Sequence, residues 1–312
     1  MVNAEYILRV RGLPKQRISQ KARLLHHVYT WLRLVGESTF VLHDYSQSFI
    51  NTLSSQVQRP TEPPPDRLDD FLRLEAPDAD SDLNINEPKD EKAGLHDIHL
   101  RDSRAFSNTL YKQVYGIPET WLSLLSQTTR LANVLEAFGM PRSGEEASFT
   151  AESLHRRSVR LENLICSFDA SLPPEPSNPH GHMLRALNSA LVIFFYRRVR
   201  QVHPAIMASH VDSVIASLSE FTALSDYQVG AGAAWPAFIA GCEALSIERR
   251  QKVMKWLDNA ISSAGHSAFA AAKDIMTELW PRQDEHLQRH RGEPMPTWTV
   301  LVQEKQIWPL LC

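Results

Sequence analysis

Apolar residues recur at helical spacing through almost every patterned segment of this 312-residue chain. Leu24, Leu25, Val28, Trp31, Leu32 and Val35 follow the i, i+3, i+4, i+7 rule of a buried helix face. Val41, Leu42, Tyr45, Phe49 and Leu53 continue the rule past Gly36, so the spacing predicts one long helix or two meeting near that glycine. In "IPETWLSLLSQTTRLANVLEAFG" the inner face comprises Trp121, Leu124, Leu125, Thr128, Leu131, Leu135 and Phe138. Pro118 and Glu119 suit its first turn and Gly139 its C-terminal cap.

Helical segments then come in close succession: "TAESLHRRSVRLENLICSF", "MLRALNSALVIFFYRRVRQVH", "PAIMASHVDSVIASLSEFTAL", "WPAFIAGCEAL", "SIERRQKVMKWLDNAISSAG", "SAFAAAKDIMTELW" and "PTWTVLVQEKQIWPLLC". The Pro-rich "LPPEPSNPHGH" separates the first two, and Pro204 ends the second. Ser246 and Ser267 are suited to N-caps and Gly265 to a C-cap. Only "TWTVLV" alternates at period two, and one short run does not make a sheet. The expected architecture is all-α, an array of about eight to ten antiparallel helices.

Between Gln58 and Arg101 the periodicity collapses into a Pro-rich, acidic stretch, too polar to bury a core and expected to be disordered. From Thr61 to Asp97 there are twelve acids and four bases, a net of −8. The expected organisation is therefore an N-terminal helical part over residues 1–57, an acidic loop over 58–101 and a main helical domain over 102–312.

Composition excludes several function classes. Three cysteines (Cys166, Cys242, Cys312), far apart and never spaced Cys-x-x-Cys, fit neither a disulfide framework nor a cysteine zinc site. A reducing compartment is the expectation. The formal charge of −3 gives no overall attraction to nucleic acid or anionic lipid. The N-terminus lacks a signal-peptide pattern, and the densest apolar run, Leu191 to Tyr196, falls far short of the roughly 20 residues of a membrane span. A soluble chain without membrane attachment is expected.

The stretch "WPAFIAGCEA" raises the sharpest chemical question, because Cys242 stands among small residues after Trp235-Pro236. A nucleophilic cysteine needs a thiolate-stabilising partner, and no local spacing nominates one. Ala237, Ala240, Gly241 and Ala244 form a small-residue face suited to close helix contact, so Trp235, Pro236, Gly241 and Cys242 are assigned a structural role. Glu243 is expected to point outward or to cap a neighbouring group.

His286 and His290 in "HLQRH" have metal-clamping i, i+4 spacing, but no internal Glu and the nearby Arg282, Arg289 and Arg291 favour a solvated helix face. His26 and His27, being adjacent, face different directions. "GAGAA" (Gly230 to Ala234) follows no strand and reads as a connection between helices. No phosphate-loop, dinucleotide or Gly-x-Ser-x-Gly pattern occurs, and the paired carboxylates lie in polar loops, so an enzyme is not expected.

Two segments remain as candidates for recognition. Arg9, Arg11, Lys15, Arg17, Lys21 and Arg23, with no acid among them, read as a solvated helix face, a nuclear import signal or phosphate contacts. Leu68, Asp69, Asp70, Phe71, Leu72 and Leu74 have the acidic-hydrophobic composition of activation segments that fold on a partner; the alternative is a solvated spacer.

"KARLLHHVYTWLRLVGESTFVLHDY", "VYGIPETWLSLLSQTTRLANV", "WPAFIAGCEALSIERRQKVMKWLDNA" and "WTVLVQEKQIWPLL" together resemble the fungal-specific transcription factor domain of the second type. That domain is the large C-terminal helical region of binuclear zinc cluster regulators, and the likeness is closest to the arginine-metabolism regulator subfamily. It covers most of the chain from about Arg17 to Cys312, with the acidic loop interrupting it. The resemblance implies a nuclear regulator of transcription whose partners are coregulators or other DNA-binding regulators, with a homodimer as a further possibility. The six-cysteine module through which such regulators hold zinc and read DNA has no counterpart here, so neither zinc nor specific DNA binding is expected of these residues. The chain then reads as a fragment, a truncated gene model or a stand-alone regulatory domain. The alternative is a helical interaction scaffold unrelated to transcription.

Overall fold

The computed structural model describes residues 19–41, 116–138, 145–172, 178–225, 230–265, 267–289 and 294–311. All regular elements among the described residues are helical, so the all-α expectation holds. Packing divides the chain into two units, Met1–Leu34 with Asp44–Leu164, and Val35–His43 with Ile165–Cys312. Helices Gln20–Thr39 (α1) and Glu145–Ser171 (α3) each contribute to both.

In the first unit, α1 lies with its buried stripe rotated partly away from the expected one. Of the expected stripe Leu25, Val28 and Leu32 are exposed and Trp31 and Val35 buried, while His27, Thr30, Arg33 and Leu34 are buried in addition. His27, Thr30, Trp31 and Leu34 themselves satisfy the i, i+3, i+4, i+7 rule, so a helical face is present but carries polar residues inward. The helix passes through Gly36 without a break and ends at Thr39. The second apolar set expected beyond that glycine, from Leu42 to Leu53, lies outside the described residues.

Helix Glu119–Phe138 (α2) is buried on every side along its first half, from Glu119 to Thr129. Some of its polar residues bond locally there: the Thr128 and Thr129 hydroxyls donate to the carbonyls of Leu124 and Leu125 at 2.7 and 2.9 Å. Gln127 Nε2 donates to Ser123 Oγ at 3.1 Å. These bonds let serine, threonine and glutamine enter a core that a simple amphipathic reading would deny them. Trp121 sits against Trp31, ring centroids 6.1 Å apart.

The second unit begins with helix Pro179–Arg198 (α4), capped by Asn178, whose Oδ1 accepts the Gly181 N–H at 2.8 Å. The helix therefore starts inside the Pro-rich "LPPEPSNPHGH", where Pro179 occupies the first turn. Ala186 to Phe195 is a continuous buried run. A short 3-10 turn, Pro204–Met207, leads into helix Ala208–Leu224 (α5), which folds back along α4 with Ser189 Oγ and Ser213 Oγ 3.0 Å apart.

A second 3-10 turn, Ala231–Ala233, introduces the nine-residue helix Ala234–Cys242 (α6), all of it buried and touching α4 and α5. Helices Ile247–Ala264 (α7) and Ser267–Arg289 (α8) also pack on α6. The caps of α7 are as expected: Ser246 Oγ accepts the Arg249 N–H at 3.3 Å, and Gly265 adopts the left-handed conformation at φ 63°. Ser267 is the first helical residue of α8 rather than the residue before it.

Helix α8 does not stop at Trp280 but runs through Pro281 for two further turns. A proline inside a helix forfeits one backbone hydrogen bond, a loss of up to about 3 kcal/mol. Trp280 and Gln283, on either side of it, are both anchored to α6 and hold the helix in register. The period-two run "TWTVLV" falls in helix Trp298–Lys305 (α9), which ends at Gln306 with φ 53°.

Paired contacts give the directions. Lys273–Asp258 and Arg250–Asp284 run oppositely along α7 and α8, so these are antiparallel, as Arg282–Glu304 and Lys305–Glu278 show for α8 and α9. Arg249–Asp212 and Trp256–Leu218 advance together, so α5 and α7 are parallel, α6 having intervened between them. Residues 36–41 join the same unit: Trp308 Nε1 donates to Gly36 O at 2.9 Å, Thr39 Oγ1 to Pro309 O at 2.7 Å and Gln303 Nε2 to Val41 O at 3.0 Å. Among the described residues no helix is long and apolar enough to cross a membrane.

Candidate functional site

The block Trp235–Ala244 is the centre of the second unit rather than the wall of a site. Trp235 is wholly buried, packs edge-on against Phe194 at 5.9 Å and donates its Nε1 proton to Ser38 Oγ at 2.8 Å. Pro236 falls in the first turn, where its missing N–H costs nothing. At Gly241 both α8 and α7 come near: a Cβ there would lie 2.1 Å from Met276 Sδ and 3.1 Å from Val253 Cγ1. The small side chains allow this approach.

The end of α6 shows why that approach matters. The last carbonyls of a helix have no partner within it, and here neighbouring side chains supply them. Trp280 Nε1 donates to Gly241 O at 2.9 Å, Gln283 Nε2 to Cys242 O at 3.0 Å, and Arg250 Nε to Ala244 O at 2.8 Å. Arg250 is itself held by both oxygens of Asp284, at 2.8 and 2.7 Å, and lies over the Trp280 ring.

Glu243 points inward, not to solvent. Arg197 Nε donates to its Oε2 at 2.6 Å, and another guanidinium nitrogen of Arg197 donates to Val202 O. Burial raises the Glu243 carboxyl above its ordinary value, against the opposing pull of Arg197. Cys242 has no exposure, and burial, aided by the Glu243 charge, pushes its thiol well up. A thiol so protonated and enclosed is a poor nucleophile.

Other expected positions divide by location. Arg9, Arg11, Lys15 and Arg17 lie outside the described residues, as do Leu68, Asp69, Asp70, Phe71, Leu72 and Leu74. Lys21 is exposed on α1; the side chain of Arg23 is outside the description. His286 is half-buried and His290 is not described. Arg282 pairs with Glu278 and Glu304, and Arg289 with Glu285, so this end of α8 is an ion-paired surface. No group of three potential metal ligands occurs among the described residues.

An open groove of about 850 Å³ runs between α5 and α7, at residues to which the sequence pattern assigns no role. Its floor is Trp256, whose Nε1 donates to Leu218 O at 3.2 Å and Thr222 Oγ1 at 3.0 Å, beside Ile215 and Ala216. Its rim is charged. Arg249 grips both oxygens of Asp212 at 2.7 Å and holds that carboxyl below the usual range. Lys252 pairs with Glu248 at 2.6 Å, while Lys255 on the same rim has no partner among the described residues. The basic run "RRQKVMK" was the available signal. The groove thus pairs an apolar floor with a charged rim.

The model of the fungal specific transcription factor domain matches residues 1–312. The chain is also similar to arginine metabolism regulation protein II of Saccharomyces cerevisiae, with 21% identity over 202 residues. That match takes in 59% of this chain but spans only 21% of the yeast protein's length. No solved structure matches. With its whole length matched and every regular element among its described residues helical, the chain belongs to the fungal specific transcription factor domain family.

Proposed function

We propose that this chain is the regulatory and interaction domain of a zinc-cluster-type transcription regulator, modulating transcription in the nucleus through contacts with coregulators or other DNA-binding regulators. The observation that carries the reading is the family match along the entire chain. The helical units supply surfaces rather than a reaction centre, and the groove between α5 and α7 is the surface we assign to protein contact. Zinc enters this reading only through a six-cysteine module supplied by another segment or another protein.

The test is a reporter fusion. The chain tethered to a heterologous DNA-binding domain should raise or lower transcription from the cognate promoter, and a fluorescent fusion of the whole chain should collect in the nucleus. A tethered chain that leaves the reporter unchanged, together with a cytosolic fusion, would replace this reading with that of a scaffold unrelated to transcription.

A further inference from the structure

A second cavity, of about 260 Å³, opens where the end of α3 meets α4 and α5, and all its lining residues belong to the second unit. Asp169 comes from α3, Arg185 and Ser189 from α4, and Ser209, His210 and Ser213 from α5. These polar groups converge without satisfying one another. Ser189 and Ser213 share one hydrogen bond of 3.0 Å, and Asp169 accepts one from the Asn188 amide at 2.6 Å. The Asn188 side chain is wholly buried and its Oδ1 has no partner. Among the described residues, Arg185, Ser209 and His210 make no side-chain hydrogen bond or ion pair, Asp169 acting on His210 only through its charge. Arg185 and Asp169 line the same cavity and still do not pair.

Arg185 and His210 are half-buried and Ser209 is exposed at the mouth, so all three keep hydrogen-bonding capacity for a ligand. The cavity has room for on the order of eight waters, at about 30 Å³ each. A ligand of comparable size therefore has about eight to ten non-hydrogen atoms, on the order of a small metabolite. Its chemistry is set by the lining. A guanidinium fork selects a carboxylate. Asp169, with one oxygen uncommitted, repels a dianion such as phosphate and calls for a donor. A simple cation would meet Arg185, and an apolar molecule would strand all six groups.

We propose that this cavity binds a small organic carboxylate that also carries a hydrogen-bond donor, either a hydroxyl or an ammonium group. The carboxylate lies on Arg185, the donor on Asp169, and the serine hydroxyls and His210 complete the contacts. This site is separate from the groove and does not depend on the transcriptional reading.

Calorimetric titration of the full chain tests it with five probes: lactate and 3-hydroxybutyrate for the hydroxyl arm, β-alanine for the ammonium arm, propionate for a carboxylate alone, and inorganic phosphate. One arm should bind saturably, and propionate and phosphate should bind about tenfold more weakly or not at all. Arg185→Ala should weaken that binding by about tenfold or more, with Arg185→Lys intermediate, while circular dichroism and the Tm of the unliganded variants remain those of the parent. No binding by either arm would overturn the proposal, as would equal binding of propionate or phosphate, or binding that survives Arg185→Ala. Which arm binds identifies the class, hydroxy acid or amino acid.

Discussion

Met276 Sδ occupies the place where a side chain on Gly241 would begin, 2.1 Å from an ideal Cβ. One turn further along α8, Trp280 bonds the Gly241 carbonyl. The contact between α6 and α8 is thus both steric and hydrogen-bonded, and glycine is required by proximity rather than by backbone conformation.

Gly241→Ala should therefore destabilise the fold although alanine favours a helix by about 1 kcal/mol. Overpacking a filled core typically costs about 1–3 kcal/mol, and Met276, wholly buried, must repack to make room. A net loss of about 1–2 kcal/mol in urea unfolding is expected. Met276→Ala makes room, so the double variant should lose clearly less than the sum of the two single losses.

Gln283→Leu keeps the volume of that side chain but removes the donor shared by Cys242 O and Pro296 O, at 3.0 and 3.3 Å. Buried carbonyls left without a donor cost about 1–3 kcal/mol. The expected result is a fall in the urea midpoint with an unchanged slope, because the surface exposed on unfolding is the same.

Thiol chemistry separates the cysteines. Cys166 is exposed and Cys242 is buried. In native protein carrying Cys312→Ser, an aromatic disulfide reagent at neutral pH should titrate Cys166 rapidly. Cys242 should react only at the rate of unfolding, and its reaction should accelerate with urea. Fast labelling of Cys242 without denaturant would make that thiol a candidate nucleophile again.

The sequence carried the local signals and not the tertiary ones. Ser246, Gly265 and Pro236 act through their own backbone neighbourhood, so their roles were legible from position alone. The orientation of α1 was not. Its buried stripe holds His27 and Thr30 beside the expected Trp31 and Val35 while Leu25 and Val28 face out, so hydrophobicity by itself misplaces half of it. Pro281 reads as a helix end because the anchors that override it, Trp280 to Gly241 and Gln283 to Cys242, span about forty residues. The polar cavity had no sequence signature at all, since Asp169, Arg185 and His210 meet only when three helices do.

His210 links that cavity to pH. Burial lowers its imidazole below the ordinary value of 6.5, more strongly than the Asp169 carboxylate raises it. The groups around it are Asp169 from α3, Arg185 from α4 and Ser209 and Ser213 on its own helix. Between the folded-state value and 6.5 the unfolded chain binds the proton more readily, so stability increases with pH across that window. Stability should thus decline as pH drops below 6.5 toward the folded-state value, where His210 must charge in place. His210→Gln removes this component: the variant should lose less stability than the parent between about pH 7 and pH 5, as read by urea unfolding at each pH. Equal pH dependence in parent and variant would place the imidazole in free contact with water and remove His210 from the cavity's polar wall.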